Sequence, residues 1–330
     1  MNGPMDNTFK HVEILHIGPH GVISSTAELE RAFTVHRWWE IKDEAAFFKD
    51  VGPRIRGIAG RPYPWKQDAA FLAHFPKLEI TAVFGAGYDS IDMPTAVARG
   101  IMVANTPGAA AQETADVAMG LLLAVTRQIT AADRFVRDGH WLKGRYPLTP
   151  SLHGRTVGIL GLGHIGKAIA QRCLGFNLKV VYHGRNRQAD VPYPYYPSLL
   201  DMAREADVLM IAAPGSPATQ NMVSAEVLKA LGADGILVNV GRGSIVDEPA
   251  LIAALRAKVI LGAGLDVTVN EPNVAPALLE LDNALVLPHL AGASTHSWKV
   301  MADMLNDNLK SWFAGKGPLN PVAETPYSRS

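Results

Sequence analysis

The chain has 330 residues, 48% hydrophobic and 19% charged, enough apolar material for roughly two domains. Its 31 Lys and Arg balance 31 Asp and Glu, and no dense basic cluster occurs, so nucleic acid is not an expected partner. The lone cysteine, Cys173, excludes an internal disulfide, Met1 to Lys10 is too polar for a secretory leader, and apolar runs such as Val117 to Val125 are shorter than the ~20 residues that span a bilayer. A cytoplasmic protein with no membrane partner is expected. The 11 histidines are scattered, without a His-Glu-x-x-His pair or a cysteine cluster, so no metal is expected.

In chain order, Val12–Ile17 reads as a strand, Thr26–Arg31 as a helix and Thr34–Trp38 as a second strand. Arg56–Gly60 and Ile80–Phe84 read as strands running into glycine turns, and Ile101–Ala104 as another. Alternation of strand and helix predicts a parallel sheet with helices on both faces. A long helix is expected over Gln112–Thr130. Its Ala115–Val125 stretch is apolar nearly all round, which requires burial inside a domain or at a subunit interface.

A second sheet begins at Thr156, with strands predicted at Val157–Leu160, Lys179–His183, Val208–Ala213, Ile236–Val240, Gly264–Val267 and Leu285–Leu287. The segment Gly161-Leu-Gly-His164-Ile165-Gly166 lies between the first of these and a helix expected over Lys167–Leu174. That context turns a weak glycine pattern into a dinucleotide site. Gly161 permits the tight turn, Gly163 lets the backbone approach a pyrophosphate, and Gly166 lets helix and strand pack closely. The amides at the helix start face the anion. A terminal helix is expected over Val300–Phe313.

The strand after this motif normally ends in an acid that holds the ribose hydroxyls. Here it ends His183-Gly184-Arg185-Asn186-Arg187. A carboxylate would repel a 2′-phosphate, whereas guanidinium groups grip it, so NADPH is the expected cofactor and NADH a possible one. The alternative reading of Arg185 and Arg187 is a pair of solvated loop charges.

Three further strand ends carry ionisable groups: Asn239-Val240-Gly241-Arg242-Gly243, Leu265-Asp266-Val267 with Glu271-Pro272, and Pro288-His289-Leu290-Ala291-Gly292. Active sites of open α/β sheets gather at such ends. Alone, each residue has a bland reading: Arg242 in a surface ion pair, His289 structural, Glu271 a turn residue. Together they form a constellation for reducing a 2-oxo acid. Arg242 pairs with the carboxylate and the oxo group. His289 donates the proton, since imidazole titrates near neutrality. Glu271 orients the ring and favours its protonated form.

In order along the chain, these motifs, with Phe84-Gly85-Ala86-Gly87-Tyr88-Asp89 and Asn105-Thr-Pro-Gly108 upstream, resemble the D-2-hydroxyacid dehydrogenase family, and within it the glyoxylate/hydroxypyruvate and hydroxyphenylpyruvate reductases. The resemblance covers about residues 55 to 315. It implies an α/β fold of two doubly wound parallel-sheet domains, a Rossmann-type cofactor domain over 107–293 inserted in a flavodoxin-like substrate domain over 1–106 and 294–330, with the site in the cleft between them. It assigns Arg242, Glu271 and His289 to catalysis. It places Ala213 and Pro214 on the adenine side, Val240 and Gly241 beside the nicotinamide, and Asp266 near its carboxamide unless that residue is purely a cap. Gly292 is expected at the cofactor. Ala59-Gly60 and Gly85-Ala86-Gly87 would offer amides to the substrate carboxylate. Arg61 either adds a charge there or is a solvated loop residue. Trp141 either reaches a partner's site or packs at a homodimer interface over residues 110–145. Tyr63, Trp65 and Trp141 would line either a small pocket or an aromatic one.

The expected substrate is a small 2-oxo acid, glyoxylate or hydroxypyruvate, with hydroxyphenylpyruvate as runner-up. A 3-phosphoglycerate dehydrogenase-like enzyme and an NAD(H)-sensing co-repressor-type binding module remain as alternatives. Glu271 argues against a formate dehydrogenase, which pairs its histidine with glutamine.

Overall fold

The computed structural model describes residues 9–18, 23–61 and 66–327, side chains 23–25 excepted; Tyr63 and Trp65 therefore lie outside the described residues. The chain divides into unit 1, Met1–Ala110 with Ser294–Ser330, and unit 2, Ala111–Ala293.

Unit 1 begins with β1 (Phe9–Ile17), α1 (Ile23–Ala32), β2 (Phe33–Arg37), α2 (Glu44–Asp50), β3 (Ile55–Gly60), α3 (Ala69–Ala73), β4 (Ile80–Val83), α4 (Met93–Ala98) and β5 (Met102–Ala104). The strands form a parallel sheet in the order β2-β1-β3-β4-β5. β4 is buried at every position, as a strand covered on both faces must be. Asp43, Asp68 and Asp92 each accept a hydrogen bond from the third residue on and so start α2, α3 and α4. Trp38, expected at the end of a strand, instead opens a 3₁₀ turn, Trp38–Glu40.

Unit 2 runs α5 (Ala111–Thr126), α6 (Ile129–Arg137), β6 (Thr156–Leu160), α7 (His164–Gly175), β7 (Lys179–His183), α8 (Leu199–Glu205), β8 (Val208–Ile211), α9 (Ala225–Leu231), β9 (Ile236–Asn239), α10 (Glu248–Arg256), β10 (Gly262–Leu265), α11 (Pro276–Leu279) and β11 (Ala284–Val286). Its parallel sheet is ordered β11-β10-β9-β8-β6-β7. The helix expected over 112–130 stops at Thr126. Gln128 adopts the left-handed conformation (φ 51°), and α6 leaves at 59° to α5. α5 packs on α7, β9 and β10 and buries Ala115, Ala118, Met119, Leu121 and Leu122, so its apolar character serves the core of the unit. α6 buries nothing. No single helix among the described residues is long and apolar enough to cross a membrane.

The chain returns to unit 1 as α12 (Thr295–Phe313), started by a reciprocal Ser294–Ser297 capping box and lying on α1, β3 and β4. It begins five residues before the expected start. Sequence periodicity is weak there, and the capping box sets the boundary.

Candidate active site

The glycine turn is built as three different positions. Gly161 has φ +92°, and a Cβ on it would lie 2.7 Å from Ala213 Cα. A Cβ on Gly166 would lie 2.1 Å from the Gly161 carbonyl oxygen. Around Gly163 a Cβ meets nothing within 4 Å. Gly161 and Gly166 thus close the protein on itself, while Gly163 leaves one side open. Gly163 is also the N-cap of α7 and brings no capping side chain, so the helix start presents amides, with His164 exposed and Ile165 half-buried. This shape suits a pyrophosphate.

Beyond β7, the Gly184 carbonyl accepts from Tyr195 Oη at 3.1 Å. Gln188 is tied twice: its amide donates to Tyr182 Oη at 2.7 Å and its Nε2 to the Leu162 carbonyl at 2.9 Å. The loop is therefore anchored at both ends and to the glycine turn. Arg185, Asn186 and Arg187 stand exposed between the anchors, and neither guanidinium meets a carboxylate among the described residues. Two unpaired cations on a fixed loop suit a ribose 2′-phosphate.

Arg242 sits between two glycines for a steric reason. A Cβ at Gly241 would lie 2.7 Å from the Ala213 carbonyl oxygen, and one at Gly243 2.1 Å from the Thr268 carbonyl carbon. The loops after β8, β9 and β10 come this close only because both flanks of Arg242 lack side chains. Asn239 staples the turn, accepting from the Gly241 amide at 3.0 Å and donating to the Arg242 carbonyl at 2.9 Å. Val240 is buried, Ala213 is buried and Pro214 is exposed at the end of β8.

His289 Nδ1 and Glu271 Oε2 are 2.6 Å apart, and Glu271 Oε1 accepts from the Thr268 amide at 3.0 Å. Burial alone would raise the Glu271 carboxyl. The His289 hydrogen bond and charge, the Thr268 amide and the Arg242 charge outweigh it and hold the group below its ordinary value. With Nδ1 engaged, Nε2 is the ring atom left to face a substrate, and the side chain is 42% exposed. Asp266 is 2% exposed. Its two oxygens accept from the Leu290 and Ala291 amides at 2.8 and 3.0 Å, and its carbonyl accepts from the His289 amide at 2.9 Å. Burial pushes its carboxyl up, against the two amides. These contacts hold the turn on which His289 stands at φ +53°, with half-buried Gly292 just beyond, which favours the capping reading of Asp266.

In unit 1 the two glycine turns follow neighbouring strands, β3 and β4. Gly60 has φ +138° and a Cβ there would lie 2.0 Å from the Ile17 carbonyl oxygen. Ala59 lies inside the ladder, paired with His16 and Ala82, and is buried. The Gly85 amide donates to Thr106 Oγ1 at 3.0 Å, so it does not join an anion nest as expected. Ala86 and Gly87 have no amide acceptor among the described residues. Arg61 is half-buried, its guanidinium 5.5 Å from the centre of the Trp298 ring, which corrects its reading as a solvated loop charge.

Trp141 is 67% exposed in a 3₁₀ turn of unit 2. Asn239, Gln188, Thr106 and Thr268 fix the site's backbone, a role that nothing in the sequence assigns to them. Polar residues beside glycine turns are common, and only their partners reveal their work. No group of three or more metal-ligating side chains occurs among the described residues.

Fold and site together define a dinucleotide-dependent oxidoreductase. The model of the D-isomer specific 2-hydroxyacid dehydrogenase NAD-binding domain matches residues 119–291. The chain is 39% identical over 295 residues to a glyoxylate/hydroxypyruvate reductase A of Arabidopsis thaliana, covering 89% of this chain and 94% of that one. It is equally 39% identical, over the same shares, to a hydroxyphenylpyruvate reductase of Plectranthus scutellarioides. Among solved structures, the NADPH-dependent glyoxylate/hydroxypyruvate reductase of Sinorhizobium meliloti, in complex with NADP and malonate, superposes with a TM-score of 0.88 at 42% identity, covering 97% of this chain and 99% of that one. The chain belongs to the D-isomer specific 2-hydroxyacid dehydrogenase family.

Proposed function

We propose that this protein is an NADPH-preferring reductase of small 2-oxo acids, acting on glyoxylate and hydroxypyruvate. The His289–Glu271 pair beside Arg242 carries the reading, and the names of the similar reductases support it. NADPH, when bound, supplies the hydride that reaches the carbonyl carbon. Arg242 holds the substrate carboxylate and polarises the oxo group. His289 Nε2 gives its proton to the developing alkoxide, and Glu271 steadies the charged ring through Nδ1. Asp266 holds the His289 turn in place. Amides of the Ala86–Gly87 turn take a share of the carboxylate. Arg185 and Arg187 hold the 2′-phosphate, and the open face of Gly163 admits the pyrophosphate.

The test is loss of reduced-nicotinamide absorbance with NADPH or NADH against glyoxylate, hydroxypyruvate and 4-hydroxyphenylpyruvate. Faster turnover of the small acids with NADPH, lost in His289→Ala, is expected. Turnover of the aromatic acid alone would move the substrate to that of the Plectranthus relative. No turnover of any of them would overturn the reading.

We further infer that residues 129–148 form a homodimer surface. α6 has no fully buried residue, and Ile129, Val136, Trp141, Leu142 and Leu148 are exposed on or near it, a patch that soluble monomers rarely carry. Sedimentation of wild type as a dimer and of Val136→Asp/Leu142→Glu as a monomer is expected; a monomeric wild type refutes it. A buried free Cys173 and the lack of a spanning helix among the described residues support a cytoplasmic location.

A further inference from the structure

The segment Pro192-Tyr-Pro-Tyr-Tyr-Pro197 lies along the end of β7, joined to it by a parallel Tyr182–Tyr195 bridge. The Tyr182 amide donates to the Pro194 carbonyl at 3.0 Å, and the Tyr196 amide donates to the Tyr182 carbonyl at 2.8 Å. His183 Nδ1 donates to the Tyr196 carbonyl at 2.8 Å. Pro192, Pro194 and Pro197 stand exposed and fix φ along the segment, so this strap loses little entropy when it is ordered.

From the strap, Tyr195 Oη reaches the Gly184 carbonyl and donates to it at 3.1 Å. Gly184 is the residue at which the loop carrying Arg185 and Arg187 would swing. A Cβ on it would meet nothing within 4 Å, so no packing restrains it, and glycine has the widest backbone freedom. The far end of the loop is already fixed. The Gln188 amide donates to Tyr182 Oη at 2.7 Å, and Gln188 Nε2 donates to the Leu162 carbonyl at 2.9 Å. Tyr182 is itself 1% exposed, with the Tyr195 ring centre 5.3 Å from its own. The Tyr195 hydroxyl is thus the tie at the one loose end. Two guanidinium groups repel each other, and a loop free at Gly184 would let them part. Tied, it keeps both near one place, so a bound anion need not order them.

We propose that Tyr195 is a positioning residue for cofactor selectivity: its hydroxyl pins Gly184, so that Arg185 and Arg187 stand ready for the ribose 2′-phosphate. This rests on the reading above that the two arginines hold that phosphate. Tyr195 acts through the loop backbone. A ligand without the 2′-phosphate makes no use of the arginines and gains nothing from the tie.

The test reads binding alone, by titration calorimetry of the full chain with adenosine 2′,5′-bisphosphate and adenosine 5′-monophosphate, which differ by the 2′-phosphate. Wild type should prefer the bisphosphate. That preference should fall ~5-fold in Tyr195→Phe, the worth of one neutral hydrogen bond, with the monophosphate bound as before. Tyr193→Phe, whose lost hydroxyl has no partner among the described residues, should keep the full preference. Adding Gly184→Ala to Tyr195→Phe should restore part of it, because alanine stiffens the same hinge and its Cβ meets nothing. An unchanged preference in Tyr195→Phe, an equal weakening of both ligands or no recovery in the double variant overturns the proposal. Arg185→Ala/Arg187→Ala separates it from the reading beneath it. A preference lost there but intact in Tyr195→Phe refutes the role of Tyr195 alone, whereas a wild type without preference refutes the arginines and Tyr195 together. No turnover is needed, so the reductase reading stands or falls apart from this one.

Discussion

In unit 2 the loops beyond β9, β10 and β11 carry Arg242, Glu271 and His289. In unit 1 β3 ends at Gly60, with Arg61 just beyond it, and the loop after β4 carries Gly85 and Gly87. Both sheets share one winding, since unit 2 counted from β6 runs 2-1-3-4-5-6 and unit 1 runs 2-1-3-4-5. The same edge therefore presents ionisable side chains in one unit and mainly glycine turns in the other. Two histidines mark the contrast. His289 is exposed and rests on a carboxylate. His16, near the end of β1, is fully buried and meets Trp39 edge-on, with ring centres 5.0 Å apart. Burial, aided by Arg37, pushes its pKa down to about 4. One imidazole stands at the surface against a carboxylate, and the other is held neutral by burial.

The largest expected effect is at the side-chain edge. If His289 is the proposed acid, His289→Ala should lower kcat by ~10²–10⁴ while circular dichroism and cofactor affinity stay unchanged. A near-normal kcat would place the acid elsewhere.

His16 should instead act on stability. Unfolded His16 takes a proton below its ordinary pKa of 6.5, whereas the folded group resists until about 4. Its contribution is therefore complete above 6.5 and lost as pH falls through that window, by about 3 kcal/mol. Urea midpoints across the window should fall more steeply for wild type than for His16→Leu; parallel slopes would deny the buried neutral state.

Next comes the cofactor loop. Arg185→Ala/Arg187→Ala should weaken NADPH by roughly 30-fold, about 2 kcal/mol, and leave NADH within a factor of about two. An equal loss for both cofactors would make the pair a general anion patch.

The smallest effect belongs to the backbone edge. Thr106→Val removes one of the two acceptors of the Gly85 amide, leaving the Val83 carbonyl and the turn's own amides in place. KM for glyoxylate should rise only a few-fold with kcat unchanged, the mark of uniform binding. A collapse of kcat would show that unit 1 takes part in the chemistry.

Side-chain chemistry at strand ends is written in residue identity and order, so Arg242, Glu271, His289 and the glycine turn were legible in the sequence, as were the strand–helix alternation and both parallel sheets. Local chemistry decided these: apolar runs make buried strands, and a turn at Gly161 admits no Cβ. What tertiary structure alone decided were the partners. The break at Gln128 depends on a single left-handed residue, and Asp266 became a brace because the 288–291 turn folds onto its oxygens. Gly85 lost its place in the amide nest to Thr106, 21 residues away. Arg61 left the solvent for Trp298, 237 positions along the chain (298 − 61). Such pairings leave no mark in spacing, because they form only when distant segments close around one another.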